Sequence, residues 1–237
     1  MDSDSRKISI CLTHFNRSDM IERAIEKVID DPRVSEIVII DDNSDDAHKT
    51  ALLDFTSNHV KIGLSTYIND KNLGCYRNKQ KAVSFAKNEC CCIWDSDNIF
   101  DKSYLDRLYM YGLWDKNTIY APSKANPFDY THFEGRILTK QNISRFVGQK
   151  RFDAMMNTMN YFVNRDEYLR VWDKEAKPYA IDSIYQNLQW IAAGNKFFVV
   201  PGLHYEHTVH TGSLYMAEGH LTQDLHKVIL NKFKQMR

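Results

Sequence analysis

The residues best placed to do chemistry are two carboxylates one residue apart, Asp95-Ser96-Asp97, directly after the apolar run at 90–94. Side chains alternate along an extended chain, so Asp95 and Asp97 project to the same side. Two hard oxygen donors at one point suit Mg²⁺ or Mn²⁺, and such an ion can bridge a diphosphate. Asp41-Asp42-Asn43-Ser44 ends a second apolar run, 36–40, in the same way. A carboxylate there can accept a hydrogen bond from a ribose hydroxyl or a base N–H. Asn43, Ser44 and Asp45 read more simply as a turn and a helix cap. Asn72-Leu73-Gly74, then Arg77-Asn78, stands where a helix should begin. A helix N-terminus with an arginine favours an anion such as pyrophosphate. His204, His207 and His210 recur every third residue, with Glu206 among them. No cysteine lies near them, which argues against a structural zinc site.

Each cluster also has a plainer reading, as a turn, a surface arginine or a structural histidine. Their placement separates the two. Residues 7–13, 36–40, 60–68 and 90–94 hold strands. Helices are expected at 18–29, capped by Ser18, at 46–57 and at 74–87. Strands alternating with helices imply βαβ units and a mostly parallel sheet, with ligands beyond the carboxyl ends of the strands. Residues 13–17, 41–46 and 95–98 all lie at such ends. The later chain is less regular. Helices are expected at 103–114, 166–172 and 181–193, the last closed by Gly194. Residues 120–148 read as short strands and loops, 161–164 as a short strand, and 196–200 as a strand stopped by Pro201-Gly202. A C-terminal amphipathic helix is expected at 221–236.

The 237 residues include 31 basic and 31 acidic side chains, a balance that argues against nucleic acid as a partner. No stretch approaches the roughly 18 to 20 apolar residues of a membrane span. The polar N-terminus is no secretory signal. Five cysteines, three of them consecutive at Cys90-Cys91-Cys92, read as reduced thiols in a cytoplasmic protein rather than a disulfide framework. The helix at 221–236 carries Lys227, Lys232, Lys234 and an apolar face. It could touch a membrane surface or a second copy in a homodimer, although packing on its own domain is the simpler expectation. The 13 tyrosines, 12 phenylalanines and 4 tryptophans could include sugar-stacking platforms such as Tyr130, Phe133, Tyr161 or Trp190, but most aromatics are core and none is assigned.

The order Thr13-His14-Phe15-Asn16-Arg17, Ile40-Asp41-Asp42-Asn43-Ser44, Asn72-Leu73-Gly74-Cys75-Tyr76-Arg77-Asn78, Asp95-Ser96-Asp97 resembles glycosyltransferase family 2, with its GT-A fold. The resemblance is collinear over residues 7–105. It implies a single GT-A-like α/β domain, with a nucleotide-binding half at 1–100, an acceptor-binding half at 101–220 and a C-terminal helix. It implies a nucleotide-diphospho-sugar donor, UDP being the commonest nucleotide in the family. Thr13, Phe15 and Asp42 would hold the nucleobase, with Asn72, Arg17 and Arg77 near the nucleotide. Asp95 would contact ribose or sugar, and Asp97 would bind Mn²⁺ or Mg²⁺. Members of the family often carry a Glu-Asp pair opening a late helix, its Asp acting as base. Here Ile181 replaces the Glu and Asp182 remains, with a helix N-cap as the alternative role for Asp182. A late histidine completes the metal shell in other GT-A enzymes, which makes His207 and His210 candidates.

The expectation is therefore an inverting, metal-dependent hexosyltransferase acting on a glycan, lipid-linked or protein hydroxyl. A non-catalytic nucleotide-sugar-binding module is the rival. A nucleotidyltransferase ranks lower, because residues 13–19 contain no glycine for a phosphate loop.

Overall fold

The computed structural model describes residues 6–59, 63–209 and 222–237. The apolar, β-branched runs of the first half become four parallel neighbours in one sheet. These are β1 (Ile8–His14), β2 (Val34–Asp41), β3 (Leu64–Ile68) and β4 (Cys90–Asp95), in the order β3-β2-β1-β4. All seven residues of β1 are buried, as expected for a strand covered on both faces. The covering helices are α1 (Ser18–Ile25), α2 (Asp46–Asn58) and α3 (Cys75–Phe85). Parallel register sets Thr13 opposite Asp95 on one side and Ile40 on the other, with His14 opposite Asp41. The polar strand ends are thereby brought to one rim.

The sheet continues through β8 (Tyr161–Asn164), β5 (Thr118–Asn126), β9 (Lys196–Glu206) and β7 (Ile137–Leu138), while β6 (Phe128–Asp129) pairs with β5. β5 and β9 are parallel to each other; β8 is antiparallel to β4 and β5, and β6 and β7 are antiparallel to their neighbours. The sheet is thus parallel through its first half and mixed beyond it. Around this part pack α4 (Lys102–Tyr109), α5 (Phe152–Met156), α6 (Arg165–Val171), α7 (Asp182–Ala192) and α8 (Gln223–Gln235).

Four elements differ from expectation, each for a local reason. β9 does not stop at Pro201-Gly202 but runs on to Glu206. Its pairing with β5 shifts register between Pro122 and Lys124, and Gly202 takes φ 69°. The missing N–H of each proline is absorbed at that irregularity. For the same reason β5, with Pro122 inside it, is a nine-residue strand, longer than the short strands expected in the turn-rich stretch 120–148. The expected 103–114 helix ends at Tyr109, where the Trp114 indole turns back and donates to the Leu108 carbonyl at 3.3 Å. Ser18 does not cap α1: Arg17 holds the cap position, and the Ser18 hydroxyl lies 2.8 Å from His48 Nδ1. Gly194 does close α7, at φ 90°.

Ile229 and Phe233 of α8 are buried, and Phe233 meets Phe152 at a 6.0 Å ring separation, so this helix packs on the domain. Cys91 and Cys92 are core residues of β4. Among the described residues no helix is long and apolar enough to cross a membrane.

The core reaches the rim through Trp94, which is fully buried and stacked on Phe100 at 4.2 Å. Its indole donates to the Asn98 carbonyl at 2.9 Å, bracing the turn that carries Asp95 and Asp97. Trp94→Ala is expected to destabilise the fold by about 3–5 kcal/mol in urea denaturation. A loss under about 1 kcal/mol would show that the surroundings refill the space without it.

Candidate active site

At the rim, Thr13 Oγ1 donates to Asp95 Oδ1 at 3.3 Å, and the Asp95 amide donates to Asn160 Oδ1 at 3.0 Å. The closest partner of the Asp95 carboxylate comes from α3: Lys79 Nζ lies 3.1 Å from Asp95 Oδ1. The same ammonium lies 3.0 Å from Asp182 Oδ2. Lys79 is 4% exposed and Asp182 5%. One buried cation thus joins a carboxylate of β4 to the first residue of α7. Burial opposes the charge on Lys79, but Asp182 and Asp95 outweigh it and hold the lysine well above its ordinary pKa. Burial likewise opposes the charge on Asp95, and Lys79 more than compensates, keeping this carboxyl below the usual range. Asp182 does not act as a cap: Ile181 occupies that position, and its side chain bonds no backbone N–H.

No motif in the sequence points to Lys79, but its position on the helix does. On α3 it sits in the buried stripe between Tyr76 and Val83, at helical spacing from both. A lysine in such a stripe needs an anionic partner.

Asp97 takes a different cation. Arg17 Nη1 donates to Asp97 Oδ2 at 2.7 Å, with the two side chains 24% and 12% exposed. The end of β9 is tied to the same turn: Ile99 bridges Glu206, and the Thr208 amide donates to Asn98 Oδ1 at 3.0 Å. His207 lies between these ties, its ring 5.5 Å from that of Phe128, and its charge is one of the influences lowering the Asp95 pKa. His210 lies outside the described residues. Among the described residues no three His, Cys, Asp or Glu side chains converge as a protein-only metal site. That fits Mg²⁺ and comparable ions, which are commonly held by one or two carboxylates with substrate phosphates completing the shell. Asp97 at the rim, with His207 just beyond the end of β9, would be the residues to hold such an ion.

The nucleotide side is more tightly built than the sequence implies. Asp42, 3% exposed, accepts from Asn69 Nδ2 at 2.8 Å and the Leu73 amide at 2.7 Å through Oδ1, and from the Gly74 amide at 2.9 Å through Oδ2. It fixes the loop entering α3. Asn72 is exposed, and its Oδ1 accepts from the Gly74 amide at 3.0 Å. Arg77 Nη2 donates to the Lys174 carbonyl at 3.2 Å, tying α3 to the segment before α7. Phe15 is 43% exposed just beyond β1. Asn16, at φ 51°, exchanges hydrogen bonds with Ser44 and Asp45, so these residues form the expected turn. Tyr130, Phe133, Tyr161 and Trp190 are at most 2% exposed and belong to the core, so none offers a face for stacking.

The family model for glycosyl transferase family 2 matches residues 9–173. The chain belongs to glycosyltransferase family 2. A curated relative, a cholesterol galactosyltransferase of Borreliella burgdorferi, is 22% identical over 176 residues, covering 71% of this chain. The chain spans about half of that relative's length, 47%. Solved structures of similar fold include the mannosyltransferase PcManGT from Pyrobaculum calidifontis in complex with GDP-Man and Mn²⁺, at TM-score 0.68 and 14% identity, covering 98% of this chain and 70% of that one. S. aureus TarS 1–349 in complex with UDP-GlcNAc gives TM-score 0.70 at 14% identity, covering 97% and 67%. These likenesses establish the GT-A fold for this member of family 2.

Beneath the site, His14 is fully buried with Nε2 3.6 Å from Asp41 Oδ2. Burial lowers its pKa to about 4, against the opposing pull of Asp41. The unfolded chain, with a histidine near 6.5, therefore binds the proton first as pH falls. Stability present above pH 6.5 is lost between 6.5 and 4, by up to about 3 kcal/mol from this residue. His14→Gln should flatten that part of the pH–stability curve; an unchanged slope would contradict the buried neutral imidazole. For the central cluster, Lys79→Met strands the buried Asp182 carboxylate and leaves the part-exposed Asp95 without its cation, and should cost about 3–5 kcal/mol in urea denaturation. Lys79→Arg, which keeps the charge, should cost less. Equal stability of the Met variant and the wild type would dismiss the bridge.

Proposed function

We propose that this chain transfers a hexose from a nucleotide-diphospho-sugar, most simply a UDP-sugar, to a hydroxyl acceptor, with inversion at the anomeric carbon. The observation that carries this is Asp182, held by Lys79 in the same buried site as the strand-end Asp95, with Asp97 at the rim beside them. The supporting context is family membership and neighbours whose structures hold GDP-Man, UDP-GlcNAc or UDP with Mn²⁺.

In this reading residues 1–100 bind the nucleotide. Phe15 offers an exposed face to the base, Thr13 and Asp42 stand with it on the base side, and Asp95 faces the ribose or sugar. Asp97 holds a divalent ion, with His207 or His210 completing its shell. Bound there, the ion supplies neutralisation of the charge that develops on the leaving diphosphate. Arg17, now paired with Asp97, and Arg77 near the mouth of α3 add positive charge to the same region. Asp182 takes the proton from the acceptor hydroxyl as its oxygen attacks C1, the C1–O bond to the diphosphate breaks, and one in-line displacement inverts the centre. A base in hydrogen-bond reach contributes about 10²–10⁴-fold. Ile181, buried at 3% exposure, stands where family members often have a glutamate, so the acceptor meets one carboxylate here rather than two.

The test is Mn²⁺-dependent turnover of nucleotide sugars, with and without hydroxyl acceptors. Asp97→Ala should remove the metal-dependent turnover, and Asp182→Asn should lower transfer by about 10²–10⁴-fold with the donor still bound. NMR of the first-formed product should show the anomeric configuration opposite to that of the donor. If no nucleotide sugar is turned over with any divalent metal, the enzymatic reading falls.

A further inference from the structure

We propose that Tyr179 is the stacking platform for a pyranoside ring of the acceptor, set at the mouth of the site three residues before Asp182. The inference rests on the reading of Asp182 as the acceptor's base. Tyr179 is 49% exposed, whereas its neighbours Pro178 and Ala180 are buried. The exposure is therefore not that of a loose loop. The segment leading to it is pinned at several points. The Asp173 amide donates to Tyr76 Oη at 3.2 Å, Tyr185 Oη donates to Asp173 Oδ2 at 2.7 Å, and Arg77 holds the Lys174 carbonyl at 3.2 Å. Cys75 Sγ donates to the carbonyl of Tyr179 itself at 3.2 Å.

That thiol also fixes where Tyr179 lies. Burial first, and then the charge of Asp182, push the Cys75 thiol up, with Lys79 and Asp95 acting on it as well. Cys75 opens α3 one turn before Lys79, so the Tyr179 carbonyl lies one helical turn from the ammonium that holds Asp182. The Tyr179 backbone is at φ 50°, a left-handed conformation that an aromatic residue adopts only when its surroundings impose it. The fold imposes that conformation and still leaves the side chain half exposed, three residues before the base.

An exposed, neutral phenol ring at such a place matches one ligand chemistry best. The C–H face of a pyranoside packs on the ring face, and the phenol hydroxyl reaches a sugar hydroxyl. The four aromatic residues that composition alone offers for this task are in the core. Tyr179, which the composition does not single out, is the one whose position serves the acceptor.

Two measurements on the full chain test this. In transfer assays with methyl hexopyranosides as acceptors, Tyr179→Ala should raise the acceptor KM about five- to tenfold more than it raises the donor KM. Tyr179→Trp should recover most of the loss. Equal rises in both KM values, or better turnover of a sterol than of any pyranoside, would overturn the proposal. In saturation-transfer NMR without donor, methyl hexopyranosides should receive magnetisation from the wild type and much less from Tyr179→Ala. Equal transfer in the two proteins would overturn it as well. If the wild type turns over no donor yet shows this Tyr179-dependent binding, the transferase reading fails and the pyranoside site stands.

Discussion

The Lys79 ammonium, buried between Asp95 and Asp182, is the contact on which the site's geometry depends. It joins a strand end of the parallel half of the sheet to the opening of a helix from the mixed half. Neither Lys79 nor Asp182 could be buried there alone, because removing a charge from water without a partner costs several kcal/mol. The three charges offset one another only in this arrangement, so the pairing selects the relative position of β4, α3 and α7 as well as stabilising it. Trp94 braces the turn from the core side, and Asp42 fixes the loop from which α3 departs. The functional residues are held from below by packing and from the side by charge.

The rim residues divide by how firmly they are held. Asp182 meets Lys79 in a nearly dry contact, and Asp95, 30% exposed, reaches the same ammonium from the rim. Asp97 meets Arg17 across a more exposed one, in which an arginine already supplies positive charge beside a carboxylate suited to a divalent ion. In the proposed function an anionic donor with a divalent ion would meet both a ligand and a second cation there. Desolvating such a site strengthens each of these interactions.

Much of this was legible in the sequence because the first half obeys local rules. β-branched runs gave the strands, and polar residues at their ends gave the rim, so Thr13, Asp42, Asp95 and Asp97 could be placed before any coordinates. Asp182 could be singled out through family resemblance. Lys79 and Tyr179 could not be found in that way. The partners of Lys79 lie in other elements, and the significance of Tyr179 comes from a backbone conformation that no periodicity reports. β5 and the far end of β9 were hidden by Pro122 and Pro201-Gly202, which local rules read as breaks and which the sheet accommodates at one shared irregularity. Asp42 is legible as a strand-end carboxylate, whereas its three internal donors, Asn69 and the Leu73 and Gly74 amides, come from a distant loop that no local rule connects to it.

The central claim is that these strand ends and Asp182 enclose a nucleotide sugar together with a divalent ion. A thermal-shift series with nucleotide sugars, each with and without Mn²⁺, tests it most directly, since a ligand bound only by the folded state raises apparent stability by mass action. The account predicts that at least one nucleotide sugar, a UDP-sugar foremost, raises Tm with Mn²⁺ by more than the two separate effects combined. The absence of any shift with every nucleotide sugar at saturating concentration, with or without the metal, would contradict it.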